Sequence, residues 1–429
     1  MEFATVARRL IGNRAAVVAC ALAGLAIHLL LWQISEPADI FSDFFKAYYP
    51  AGEVIWRYGA AQPWSNDETG AVTFVNLPIF AWLFVPLSFL DKDAASWMFL
   101  ALGIAAALAA WALLSRLARL DMQGRALLLL LFLISGPMVN SLREGNTTHF
   151  ILLFLVVALL LWRAGCDYST GLVLGACAAF KLPLLLFGAY FVMRGRWRVV
   201  AGGATMVALI GLLSLWYFGI NINIGWYHFC VEPFAFGVIP AFNVQSIDGF
   251  VLRLTTGDAL LWSWVPTQLP VASKAARTIV LAAMFGATFW LIWRADRKPP
   301  GPPVSGALKA RDLLGFSLVL TLAFVTSPIA WTHYYLLLLL PFALHLGGCL
   351  GLPDDPVTRR LMWTGLALTS LPVVMPQLQP GWPAALIART LVSLWLFGGL
   401  IMLAALARGA WHAGRARPLA RTGPRLKQA

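Results

Sequence analysis

Continuous apolar runs of 16 to 23 residues recur from one end of this 429-residue chain to the other. A bilayer core about 30 Å thick takes roughly 20 apolar residues per crossing helix. A membrane β-barrel would instead show alternating strands of about ten residues. Runs such as Ala15–Trp32 and Ala126–Val139 do not alternate, so they predict helices. With 60% apolar and only 12% charged residues, the chain reads as an all-α polytopic membrane protein, and water-soluble folds are excluded.

The net charge of +13 does not indicate a nucleic-acid partner, because the basic residues sit in short connections between apolar runs and form no single face. They are topology signals. Five cysteines, Cys20, Cys166, Cys177, Cys230 and Cys349, have no paired spacing, so neither a disulfide nor a metal cluster is expected. Arg8, Arg9 and Arg14 precede a run too long for a signal peptide, which reads as the first anchored helix.

Predicted spans are 15–32, 94–114, 126–143, 148–163, 200–218, 277–294, 313–327, 334–350, 361–376 and 385–407. Two further apolar stretches are irregular. Pro78 and Pro86 interrupt 72–90, and Lys181-Leu182-Pro183 breaks 170–193. If the first lies along the outer surface and the second is a helical hairpin, ten helices cross and 23 of the 32 Lys and Arg residues fall inside. If both cross, twelve helices put 21 inside. The positive-inside rule favours the first arrangement slightly. Either way both termini are cytoplasmic, 1–407 forms one membrane domain, and the basic tail 408–429 meets anionic lipid headgroups. The long outer loops 33–71 and 219–276 are aromatic-rich, which predicts interfacial helices and a functional face.

Four polar constellations stand out, the last of them on the outer side only in the ten-helix arrangement. Asp39 and Asp43 are spaced to share a helix face among aromatic residues that would desolvate a carboxylate, as a general base requires. Equally, they cap a surface helix or pair with Lys46. Ser327–Tyr335 places His333 between two spans beside Trp331, as a site histidine or an interface anchor. The segment Asn243–Arg253 carries Gln245, Ser246 and an arginine suited to phosphate or to snorkelling. Arg143-Glu144-Gly145-Asn146 puts charge at membrane depth, either for function or as a neutralising pair.

In order along the chain, Asp43–Gly52, Asn76-Leu77-Pro78, Gly145–Thr148, Gly171–Pro183, Asn243–Arg253 and Ser327–His333 resemble the motifs of glycosyltransferase family 87. Departures from the family pattern are Asn76-Leu77-Pro78 for Tyr-Pro-Pro, Asn146 for the Gln of Gly-Gln-x-Asn, and Tyr334 for the second His of His-His. The resemblance implies a type-C glycosyltransferase-like bundle of about 10–12 transmembrane helices with interfacial helices in the outer loops. It also implies transfer of one sugar, mannose by the resemblance, from a polyprenyl-phosphate donor to a lipid or glycan acceptor, with inversion. Asp43 would then be the base and His333 its catalytic partner, with Arg253, Lys46 and Lys181 binding the donor phosphate. Asp39, Tyr48, Asn146, Gln245, Ser246 and Trp331 would line the substrates. No Asp-x-Asp metal motif is present, and neither metal nor cofactor is expected. The expected setting is a monomer in a bacterial plasma membrane with its site facing the periplasm. The rival readings are a transporter or flippase, which predicts inverted repeats, and a glycan ligase or polymerase.

Overall fold

A computed structural model describes residues 40–67, 72–297, 303–305, 308–373 and 381–413, together with residues 22 and 26. Nearly all of the first predicted span, Asp39, and the tail beyond residue 413 lie outside the described residues. Among the described residues the regular elements are helices apart from one short antiparallel pair, Pro303–Ser305 with Leu308–Lys309, and three isolated bridges.

After a π-helical turn at Phe44–Tyr48 come α1 (Tyr49–Tyr58) and a 3-10 segment, Pro78–Phe89. Then follow α2 (Lys92–Leu117), α3 (Met122–Ile134), α4 (Gly136–Arg143), α5 (Thr148–Arg163) and α6 (Asp167–Phe180). The chain continues through α7 (Leu186–Met193), α8 (Trp197–Trp226), α9 (Ile247–Thr256) and α10 (Val271–Asp296). It ends in α11 (Ala310–Val325), a 3-10 turn at Thr332–Leu338, α12 (Leu339–Leu346), α13 (Pro356–Thr369), α14 (Trp382–Arg389) and α15 (Leu394–Ala413).

Four helical stretches, Lys92–Leu117, Trp197–Phe236, Val271–Asp296 and Trp382–Ala413, are long and apolar enough to cross a bilayer. A fifth is made if α3 and α4, bent by 54°, count as one span. The bend falls where Ser135 leaves helical geometry and caps α4, with Pro137 in its first turn. Several other predicted spans are shorter apolar helices, among them Thr148–Arg163 and Thr332–Leu346, so the expected ten to twelve crossings are not all full-length helices.

The two irregular stretches are resolved by their contacts. Tyr48 stacks on Phe84 at 4.7 Å and Trp56 meets Phe89 at 4.6 Å, so the 3-10 segment lies along α1. Lys181 breaks the helix between α6 and α7 with φ −131° and ψ 90°. The ends of that pair then meet again: Asp167 ion-pairs with Arg196 at 3.7 Å, and Trp162 packs on Phe191 at 5.0 Å. Residues 167–196 therefore form a helical hairpin with Lys181 at its tip. Gly171 allows α6 to pack tightly on α8, since a Cβ there would lie 2.0 Å from the Val199 carbonyl oxygen. At the foot, Arg194 grips Asp296 at 2.9 Å and Asp312 at 2.5 Å, tying the hairpin to α10 and α11. The core between these helices is lined by Leu, Phe and Ala side chains of α5, α11 and α12, including Leu155, Phe316 and Leu340.

Candidate active site

The end of the molecule opposite Arg194 gathers four segments that are far apart in sequence. The turn before α1 is clamped to the end of α4 by backbone bonds from Phe41 N–H to the Arg143 carbonyl, 2.7 Å, and from Phe44 N–H to the Glu144 carbonyl, 3.1 Å. Gly145 makes this approach possible. It has φ +67°, and a Cβ there would sit 2.6 Å from the Phe44 Cβ.

The clamp brings Asn146 to Asp43. Asn146 Nδ2 donates to Asp43 Oδ2 at 2.6 Å. Its Oδ1 accepts from Thr148 N–H at 3.0 Å and from the Thr148 hydroxyl at 2.7 Å. Two donors on one end of the amide fix its orientation, so its NH₂ must face the carboxylate. Burial raises the proton affinity of Asp43 above the ordinary carboxylate value, while the Asn146 bond and the charges of Lys181 and Lys46 pull it back. Glu144, bonded to Ser42 and Arg143, is a second carboxyl raised by burial and by Asp43.

Lys181 reaches this group from the hairpin tip. It is buried, its Nζ lies 4.4 Å from the centre of the Tyr334 ring, and it acts electrostatically on both Asp43 and His333. His333 is buried with its ring nearly parallel to Trp331, at 6.4 Å and 19°, and edge-on to Tyr334 at 5.1 Å. Its Nε2 has no hydrogen-bond partner. Tyr48 lines the same wall, with its hydroxyl 3.4 Å from that of Thr147. The structure thus brings Asp43, Tyr48, Asn146, Lys181 and His333 to one face.

The remaining predicted positions are placed differently. The Lys46 side chain is half exposed at the rim and pairs with Asp67 at 3.8 Å. Arg253 is fully buried. Its Nη1 donates to the carbonyls of Pro240, Ala241 and Val244 at 3.2, 3.1 and 3.0 Å, and its Nη2 to the Ser393 hydroxyl at 3.0 Å. Those bonds occupy the fork that a phosphate would need, so Arg253 is a clamp of the 240–253 loop. Gln245 donates to the carbonyls of Phe242 and Val392 at 2.7 and 2.6 Å, and Ser246 caps α9 through Gly249 N–H at 2.9 Å. Both are buried and serve the backbone. Trp331 joins the same loop through an antiparallel bridge with Val244 and orients His333 with its ring. Asp39 lies outside the described residues.

His149 was not singled out by the sequence reading. It is buried at the start of α5, with Nδ1 3.1 Å from the Ser141 hydroxyl and Nε2 unpartnered, and it acts electrostatically on His333. Asn146 precedes the helix and His149 stands in its first turn, so the signal available in sequence was only its nearness to the Arg143–Asn146 segment.

The profile of Glycosyltransferase family 87 matches residues 74–308. A polyprenol-phosphate-mannose-dependent alpha-(1-2)-phosphatidylinositol mannoside mannosyltransferase of Mycobacterium tuberculosis is 26% identical over 344 residues, 74% of this chain and 73% of the relative. A polyprenol-phosphate-mannose-dependent alpha-(1-2)-phosphatidylinositol pentamannoside mannosyltransferase of Mycolicibacterium smegmatis is 29% identical over 305 residues, 70% of this chain and 67% of the relative. No solved structure matches the chain.

Proposed function

This chain belongs to glycosyltransferase family 87, and we propose from that premise that it transfers one mannosyl unit from a polyprenyl-phosphate donor to a hydroxyl of a lipid or glycan acceptor. Both mycobacterial relatives are named for that donor. Asp43, held by Asn146, takes the proton of the acceptor hydroxyl as its oxygen attacks the anomeric carbon from the side opposite the phosphate. The configuration inverts. General-base help of this kind contributes about 10²–10⁴ in rate.

The leaving phosphate gains negative charge as the glycosidic C–O bond breaks, so it needs cationic and N–H donors placed in advance. Lys181 and His333 are assigned that task, His333 through the unpartnered Nε2. The Lys181 ammonium and the His333 ring make a metal ion unnecessary in this scheme, and EDTA should leave transfer unchanged. The reaction is placed at the outer membrane surface. What supports this is charge: the opposite end carries the turns with Arg116, Arg119, Arg125, Arg163, Arg196 and Arg198, as cytoplasmic connections do.

The observation that carries the proposal is Asp43, desolvated and hydrogen-bonded by Asn146, on one face with Lys181 and His333. The test incubates membranes bearing the wild type or Asp43→Asn with labelled polyprenyl-phosphate mannose, and with the glucose and arabinose counterparts. Label should pass to acceptor from the mannose donor alone, and only with the wild type. Transfer by Asp43→Asn at the wild-type rate overturns the base assignment, and preference for another sugar overturns the donor.

A further inference from the structure

We propose that Tyr334 is a positioning residue whose aromatic ring holds the Lys181 ammonium at the donor phosphate. The proposal rests on the reading above in one respect, that Lys181 faces that phosphate. Lys181 stands at the tip of a hairpin, at the residue where the helix breaks; its backbone is held by bonds from its N–H to the Cys177 carbonyl at 2.8 Å and from Leu184 N–H to its carbonyl at 2.9 Å, but these leave its long side chain unplaced. The α6 and α7 legs are packed along their length, and Arg194 secures the foot. The ammonium at the tip needs a separate fixture.

Tyr334 supplies it. The Lys181 Nζ lies 4.4 Å from the ring centre, and no ion pair within 4.0 Å forms between this buried lysine and a carboxylate among the described residues. The ring is itself immobilised. Phe324 meets it edge-on at 5.6 Å, His333 lies against it at 5.1 Å, and Tyr334 N–H bonds to the Trp331 carbonyl at 2.9 Å. One rigid segment, 331–335, therefore orients both phosphate-binding candidates: Trp331 stacks on His333, and Tyr334 seats Lys181. A ring holds an ammonium without neutralising it, unlike a carboxylate partner, and leaves its N–H donors free for an incoming phosphate. That property separates a phosphate-binding lysine from one locked in an ion pair.

The proposal is tested with a cycle of variants: wild type, Tyr334→Leu, Lys181→Met and the double variant, with Tyr334→Phe as the conservative control. In the mannose transfer assay, Tyr334→Leu should raise the donor KM about tenfold, the scale of a desolvated cation–π contact. Tyr334→Phe should stay within about twofold of the wild type. The double variant should match Lys181→Met, because the ring has no task once the ammonium is gone. The same cycle is repeated on equilibrium binding of decaprenyl phosphate to the purified proteins, a measurement that requires no turnover. Additive effects of the two substitutions, or a Tyr334→Leu protein with wild-type donor KM and phosphate-lipid affinity, overturn the positioning role. A wild type that binds the phosphate lipid but transfers no mannose overturns the proposed donor while the binding cycle still decides the role of Tyr334. Absence of phosphate-lipid binding overturns both.

Discussion

Two polar regions of this protein, one around Asp43 and one around Arg253, look alike as strings of letters and differ in what their side chains do. Around Asp43 the polar atoms keep capacity in hand. The carboxylate accepts one side-chain bond from Asn146, Lys181 rests on a ring, and His333 Nε2 has no partner. Around Arg253 the polar side chains are engaged by the protein itself. Arg253 serves three carbonyls and a hydroxyl, Gln245 two carbonyls, and Asp248 a bidentate bond to Arg277 at 2.7 and 2.5 Å. Only Nε of Arg253 is left over. Buried polar groups engaged by backbone build a loop, whereas those left open in a desolvated cluster await a ligand. The two regions are joined, since Gln245 N–H bonds to the Ala330 carbonyl at 2.6 Å and Thr332 N–H to the Asn243 carbonyl at 2.8 Å. The knot carries the segment that presents His333.

This contrast ranks the outcomes of mutation. The largest catalytic effect belongs to Asp43→Asn, which removes the base while keeping the shape, and should lower kcat by at least about 10² with unchanged membrane levels. Arg253→Met should act on the protein and not on the donor. It leaves three buried carbonyls without their donor, at a cost of about 1–3 kcal/mol for each unsatisfied group, read as loss of folded protein in detergent thermal melts. The surviving fraction should keep the wild-type donor KM. A stable Arg253→Met protein with a selectively raised donor KM would erase the distinction between the two regions.

His333→Ala comes next, raising donor KM by about 10- to 100-fold, the scale of one charge-assisted hydrogen bond. A wild-type response to donor concentration would remove His333 from the phosphate. Asn146→Ala sharpens the comparison through pH. Its amide favours the ionised form of Asp43, so its loss raises the carboxyl further above the ordinary value. The base must be ionised to work, so the acid limb of the kcat/KM profile should move to higher pH while the alkaline plateau changes less. A limb that stays in place would mean that Asn146 does not tune Asp43.

Much of the helical architecture was legible, because apolar runs in a bilayer permit little else. The hairpin at 170–193 was one of two options, and what decided it was the meeting of Asp167 with Arg196, a contact no window of sequence contains. Within the site, Asp43 and His333 were singled out by their aromatic surroundings and by family resemblance. Arg253 misled for a physical reason. An arginine that binds phosphate and one that binds carbonyls share the same forked donors, and only the fold says which acceptors are in reach. His149 was not picked out, because its proximity to His333 depends on the α4–α5 turn, which no local pattern in the sequence reveals.

Lys46 carries the smallest prediction and tests where the site ends. Its charge favours ionised Asp43, but the side chain is half exposed and shared with Asp67 across 3.8 Å. Such pairs are weakened by water and salt. Lys46→Ala should therefore change kcat/KM by no more than about twofold at low ionic strength, and by less as salt is added, because the Debye length falls to about 8 Å near physiological conditions. Loss of a cation disfavours the ionised base, so what effect there is should move the acid limb toward higher pH, in the direction of Asn146→Ala but less far. A salt-independent loss of donor affinity on the scale of His333→Ala would place Lys46 at the phosphate. The boundary between engaged and open polar groups would then lie outside the rim and not inside it.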